Sequence, residues 1–335
     1  MSPKKKLKYY DLKRELKKGK THPVYFFTRE ESLLKDKAFK RLKEILIPKK
    51  LEDFNFFVFY GTETDANTVL EQLDNPPVQI DKKLVIVKNF ESMHYQHKKK
   101  ILKYAKNPHD DNVLVLETGK VDMRKSIYKT LAKIARVYYF YHAYNEARAA
   151  KFVREEVRES DKRIAPSAVS LLVEYVGLDL LGLNNELQKL FLYTHTKNEI
   201  KLDDVEKCVG SVKGHTIFEL QETLADKNLQ RSLKILQNLV DNGLQEVWIV
   251  IMLTRFFKIL WKTTFLIKKY GKTREAVASN LPYYNRKKYL RMAASYELEE
   301  IQRIFEILLD TDKKLKSLSI NKIIIMDLMV YKICR

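Results

Sequence analysis

Two Gly-Lys-Thr triplets, Gly19-Lys20-Thr21 and Gly271-Lys272-Thr273, offer the most suggestive chemistry in this chain. That triplet closes the loop that wraps the phosphates of a nucleoside triphosphate. A working loop also needs a glycine five positions before the second one, so that backbone amides can curl round the anion. Arg14 and Leu266 stand at those positions. The first triplet moreover precedes the first apolar run instead of following it. The turn that does follow, Thr28-Arg29-Glu30-Glu31-Ser32, has no glycine, and its two carboxylates repel phosphate.

A magnesium-holding carboxylate belongs just past a core strand. After Leu84–Val87 the chain has Lys88-Asn89, which cannot hold magnesium. Glu117 does end the run Val113–Leu116, but without a loop or an acidic partner it reads as a solvated strand end. ATP hydrolysis is therefore not expected. The sequence also lacks a Gly-x-Ser-x-Gly elbow and a His-Glu-x-x-His pair. His94 and His97, three apart on a predicted helix, have metal-ligand spacing. Lys98-Lys99-Lys100 follow directly and repel a cation, so neither a metal nor a cofactor is expected.

These residues must be positioned by more than one core, because 335 residues imply two or three domains. With 45% hydrophobic and 32% charged residues the chain is expected to fold. Its net charge of +20 costs stability through self-repulsion, which a polyanionic partner relieves; a lysine-rich proteome accounts for it as well. Cys208 and Cys334 are the only cysteines, which excludes a disulfide framework and a four-cysteine zinc site. The basic start, Met1 to Lys6, leads into Leu7-Lys8-Tyr9-Tyr10-Asp11 and is not read as a secretory signal. The most apolar stretch, Val247–Leu253, runs into Arg255, Lys258 and Lys262, so it reads as a buried bundle helix and not as a membrane span. A cytoplasmic protein without a membrane partner is expected.

Through residue 140 or so, short apolar runs alternate with helical patterns. Val24–Phe27, Phe57–Tyr60, Leu84–Val87, Val113–Leu116 and Tyr138–Tyr141 predict five strands. Leu33, Ala38, Leu42 and Ile45-Leu46 predict a helix between the first two. Unbroken apolar strands separated by helices imply a parallel sheet covered on both faces. Beyond residue 145 the strand signals vanish. Phe152, Val153 and Val157 share a helical face, as do Leu183, Leu187 and Leu190, and Ile217 to Ile333 reads as helical throughout. The fold class is therefore α/β plus all-α, with an α/β domain over 1–140, a small helical domain over 141–210 and a larger helical domain over 211–335.

Several segments, in order, resemble the bacterial DNA polymerase III delta subunit. They are Pro23 to Leu34, with its doubly acidic turn; Phe54-Asn55; Asn75 to Asn89; Val176 to Leu180; Asn184 to Leu190; Ile200 to Glu206; and Phe218-Glu219-Leu220. The resemblance spans about residues 23 to 330. It implies a degenerate AAA+ domain with a P-loop-like parallel sheet but no Walker motifs, a helical lid domain and a helical collar domain for oligomerisation. It further implies a non-catalytic clamp-loader subunit that binds and opens the sliding beta clamp for loading on primer–template DNA. Its partners are then the clamp, the gamma/tau ATPase and delta-prime subunits, and DNA, within a cytoplasmic, nucleoid-associated replisome. The chain is expected to be an accessory of a DNA-directed DNA polymerase, with no catalytic residue of its own.

Clamp contact in that family comes from a short apolar hook, which falls here on Pro76, Pro77, Val78 and Gln79, with Ile80 adjacent. The family prefers a Leu-Phe pair where this chain has Val78-Gln79, and Ile80 or Leu73 is the expected substitute. DNA contact falls on the densest basic clusters: Lys82-Lys83, Lys98-Lys99-Lys100 and Arg286-Lys287-Lys288, with Tyr283-Tyr284 near the last. Two other readings remain open, a basic nucleic-acid-binding protein unrelated to replication and an active AAA+ ATPase.

Overall fold

The computed structural model describes residues 6–208, 214–271, 281, 286–317 and 321–335. Tyr283-Tyr284 and the Lys272-Thr273 part of the second triplet lie outside the described residues. The chain divides into two compact units, Met1–His142 and Ala143–Arg335.

The first unit is a five-stranded parallel sheet. Its strands are β1 (Val24–Thr28), β2 (Phe56–Tyr60), β3 (Lys83–Lys88), β4 (Asn112–Glu117) and β5 (Arg136–Tyr139), in the order β2-β3-β4-β1-β5. That order, with helices between successive strands, is the AAA+-like sheet the resemblance implies. The helices are α1 (Tyr9–Lys17), α2 (Ser32–Leu46), the one-turn α3 (Glu52–Asn55), α4 (Ala66–Asp74), α5 (Tyr95–Lys106) and α6 (Ser126–Ile134). Central strands β1 and β4 are buried along their whole length, as unbroken apolar runs require, whereas the edge strand β2 is only half-buried. One sheet face packs Val24, Phe26, Val85, Val87, Leu114 and Leu116 against Val69, Leu73, Ile101 and Leu131. On the other, Phe27 stacks on Phe39 of α2 and meets Phe140.

The first glycine triplet has a structural use. The Gly19 and Lys20 amides donate to the Leu16 and Glu15 carbonyls, and Gly19 is left-handed at φ 69°. It stops α1, as a glycine past a helix end does. Glu15 then ties that helix to the sheet, accepting from Arg136, from the Tyr138 hydroxyl at 2.6 Å and from His22 at 3.3 Å. The fifth strand begins two residues earlier than its aromatic run predicts. The Phe140 amide still donates to the Thr28 carbonyl at 2.9 Å, so the backbone stays extended beyond it.

Among the described residues the second unit is helical but for β6 (Arg163–Ile164) and β7 (Glu199–Ile200), a two-residue parallel pair too short to leave a periodic signal. Its helices are α7 (Glu146–Glu159), α8 (Pro166–Val176), α9 (Leu180–Tyr193), α10 (Leu202–Cys208), α11 (Gly214–Ala225), α12 (Leu229–Asp241) and α13 (Glu246–Tyr270). The last three are α14 (Arg286–Ala294), α15 (Leu298–Ser317) and α16 (Lys322–Cys334). A continuous core of Ile217, Leu236, Leu253, Phe257, Ile304 and Met326 joins α11 to α16. No described helix is long and apolar enough to cross a membrane.

Candidate functional site

In an open parallel sheet, ligands bind beyond the carboxyl ends of the strands where the strand order reverses, which here lies beside β1. The backbone there faces itself. The Arg29 amide donates to the Gly119 carbonyl at 3.1 Å, and the Glu31 amide to the Phe140 carbonyl at 3.2 Å. Arg29 sits at φ 93°, a strained value for a side-chain-bearing residue, which turns the chain in three residues where a phosphate loop would take eight or so. Two of the turn's amides are thus already donated within the protein.

Glu117 corrects the expectation of a solvated strand end. It is buried, its Oε1 is ion-paired with the equally buried Lys35 ammonium, and its Oε2 accepts the Asn89 amide at 3.0 Å. Lys35 also donates to the Thr118 carbonyl at 2.9 Å. Sequence spacing hid this pair, because the two residues lie 82 positions apart on elements that only the fold brings together. Glu31 is likewise buried, with Oε2 2.8 Å from His142 Nδ1. Of the histidine pair, His97 Nδ1 accepts the Ala66 amide at the start of α4 and His94 caps α5, so both rings serve helix starts.

The hook lies at the opposite, amino end of the sheet, between α4 and β3. Val78 is 43% exposed, Pro76 and Gln79 are exposed, and Pro77 and Ile80 are half-buried. Gln79 is left-handed at φ 59°, which reverses the chain. Leu73 is corrected as a candidate anchor: it is 0% exposed on the core face of α4, where the helical period points it at the sheet. The hook is fastened on both sides. The Lys83 ammonium donates to the Gln72 and Asn75 carbonyls at 3.0 and 2.9 Å, and the Asn112 amide group donates to the Leu73 carbonyl, so the end of α4 is capped by side chains from the sheet. From the other side, the buried Asn55 reaches the backbone of Val78. Beside it, Phe54 is 58% exposed. In the sequence Asn55 stands out only as part of the Phe54-Asn55 pair ahead of the second apolar run.

The basic clusters separate by role. Lys83 is corrected as a DNA contact, because it is 2% exposed and burial pushes its pKa down. Lys82 stands beside it, its ammonium on the Asp110 carbonyl. On α5, Lys98 is half-buried, donates to the Glu91 carbonyl at 2.5 Å and has a pKa lowered by burial, with Glu91 opposing and Lys125 adding to the shift. Lys99 and Lys100 are exposed, the first over the Tyr95 ring at 4.6 Å and the second 3.0 Å from Asn67 Oδ1. Since β3 runs from Lys83 to Lys88 and α5 follows its far end, the Lys82 and Lys98 clusters occupy opposite ends of the sheet. In the other unit, Arg286, Lys287 and Lys288 begin α14; Lys288 is paired with Glu222, and burial lowers its pKa.

Sequence profiles for the DNA polymerase III delta subunit match residues 25–140, and for the C-terminal domain of that subunit residues 214–333. The chain is 26% identical to DNA polymerase III subunit delta of Bacillus subtilis over 345 aligned positions, covering 97% of both chains. It is 21% identical to the probable DNA polymerase III subunit delta of Aquifex aeolicus, over 74% of this chain and 75% of that one. Among solved structures, the Bacillus subtilis DNA clamp loader delta protein superposes with a TM-score of 0.60 at 26% identity, covering 97% of this chain and 99% of that one.

Proposed function

The chain belongs to the DNA polymerase III delta-subunit family, and from that premise we propose that it binds the sliding beta clamp through the Pro76–Ile80 hook and holds the ring open for loading on primer–template DNA. The observation that carries this reading is the hook itself. An apolar side chain, Val78, is exposed on a turn whose two shoulders are locked by buried side chains. A rigid, exposed apolar anchor suits insertion into a partner's pocket, where a few residues carry most of the binding energy.

Opening then follows from binding preference. A protein that contacts the open ring better than the closed one shifts the equilibrium toward it, without covalent chemistry. The paired amides at Arg29 and Glu31 and the Lys35–Glu117 bridge support a subunit that takes no part in ATP hydrolysis and leaves it to the gamma/tau subunits. Residues 141–210 serve as the lid domain and 211–335 as the collar through which the chain joins gamma/tau and delta-prime. Exposed Lys99 and Lys100, with Lys82 and Lys287, are the cations available to DNA phosphates in the assembled loader. Such work places the chain in the cytoplasm, at the replisome.

The test is retention of the sliding clamp by the immobilised chain. Wild type retains it, and a Val78→Ala, Ile80→Ala double variant loses most of it. Failure of wild type to retain the clamp contradicts the proposal; equal retention by both contradicts the anchor assignment.

A further inference from the structure

Asn55 is the last residue of α3 and is 0% exposed, yet two of its three hydrogen bonds leave its own element for the hook. Its Oδ1 accepts the Val78 amide at 2.7 Å, and its Nδ2 donates to the Val78 carbonyl at 3.0 Å and to the Leu51 carbonyl at 3.0 Å. A carboxamide that meets both the N–H and the C=O of one residue replaces a strand neighbour, and it fixes that residue's backbone as a ladder would. The next residue, Gln79, is held at φ 59°, which an unrestrained glutamine rarely adopts.

We infer that Asn55 is a positioning residue for partner recognition: it presets the backbone at Val78 and Gln79 so that the Val78 side chain stands exposed before the partner arrives. This rests on the proposed recognition of the clamp by the hook. Its physical content is preorganisation. Without Asn55 the hook samples other conformers, and only the fraction in the binding conformation is competent, so apparent affinity falls by that fraction. Lys83 and Asn112 leave the same hook anchored at its α4 side, so the loss is confined to Val78 and the residues after it.

The experiment measures the affinity of the full-length chain for the purified sliding clamp, alongside its incorporation into the loader with the other subunits. Asn55→Ala is expected to weaken clamp binding about tenfold or more while incorporation is unchanged, and to speed hydrogen exchange of the Val78 amide. Asn55→Asp, which keeps the acceptor for that amide but not the donor, falls between Asn55→Ala and wild type. Gln79→Pro disrupts the same conformation from the surface, because proline cannot take φ 59°; it is expected to match Asn55→Ala even where the latter proves poorly folded. Wild-type affinity in both Asn55→Ala and Gln79→Pro overturns the inference and leaves the proposed function standing. Failure of wild type itself to bind the clamp overturns both.

Discussion

The ammonium of Lys35 on α2 is paired with the carboxylate of Glu117 at the end of β4, both side chains less than a tenth exposed, beside the strand where an AAA+ protein of this topology would hold nucleotide. An internal ion pair occupies that end of the sheet. Breaking a buried pair from one side leaves an uncompensated charge, which costs about 3–5 kcal/mol. Lys35→Met is therefore expected to lower stability by about 3 kcal/mol in chemical denaturation, and Lys35→Met with Glu117→Gln to recover much of that loss. Additive losses in the double variant would show that the two side chains act separately.

Nucleotide binding is expected to be undetectable by isothermal titration with ATP and magnesium. The Arg29 and Glu31 amides are already donated within the protein, and Glu31 keeps a buried carboxylate at the start of α2. Saturable binding at micromolar ATP would contradict the description of a closed site.

The α1 anchor sets a pH dependence. Burial pushes the Glu15 pKa upward, but the hydrogen bonds from Arg136 and Tyr138 and the Arg136 charge outweigh it, and the net shift is downward. A carboxyl held below its unfolded value stabilises the fold above that value, near 4.5, and loses the contribution as pH falls through the lowered folded pKa. Glu15→Gln is expected to cost more stability at pH 7 than at pH 3, read from urea unfolding. An equal loss at both pH values would contradict the ionic account.

Glu174 on α8 works in the opposite sense. Burial pushes its pKa up to about 7, opposed by the Tyr289 hydroxyl at 2.9 Å and by Arg255, and reinforced by Glu146. An acid with a raised folded pKa contributes stability below its unfolded value, near 4.5, and loses it as pH rises through about 7. Glu174→Gln is expected to stabilise the chain by roughly 1–3 kcal/mol at pH 8 and to leave it unchanged at pH 4. No gain at pH 8 would mean that water reaches this carboxylate.

DNA binding by the assembled loader is expected to weaken by roughly a thousandfold as salt rises from about 50 to about 200 mM, and Lys99→Ala with Lys100→Ala to flatten the slope by one to two counterions. A flat salt response would assign the +20 charge to something other than phosphate contact.

Much of the first unit was legible because buried parallel strands leave continuous apolar runs: the predicted and observed bounds of β1, β3 and β4 differ by a residue or so. The strand order was not legible, since it depends on packing between segments far apart in sequence. The same non-locality hid the partner of Glu117, whose local neighbours gave no sign of Lys35. At the hook, position was readable but exposure was not. Leu73 and Val78 are both apolar and five residues apart, but the phase of α4 sends the first into the core, whereas the second lies past the helix on a turn held by Asn55. Lys83 shows the same limit, because a lysine in a basic pair reads as surface charge until its carbonyl partners are seen.

The central claim, that this chain opens the clamp by binding and without catalysis, is tested most directly with a fluorescence pair placed across one interface of the sliding clamp. Adding the purified chain in the absence of nucleotide is expected to separate the pair, and the Val78→Ala, Ile80→Ala variant to leave it closed. A ring that stays closed with wild type, or that opens only when this chain alone is given ATP, would contradict the account.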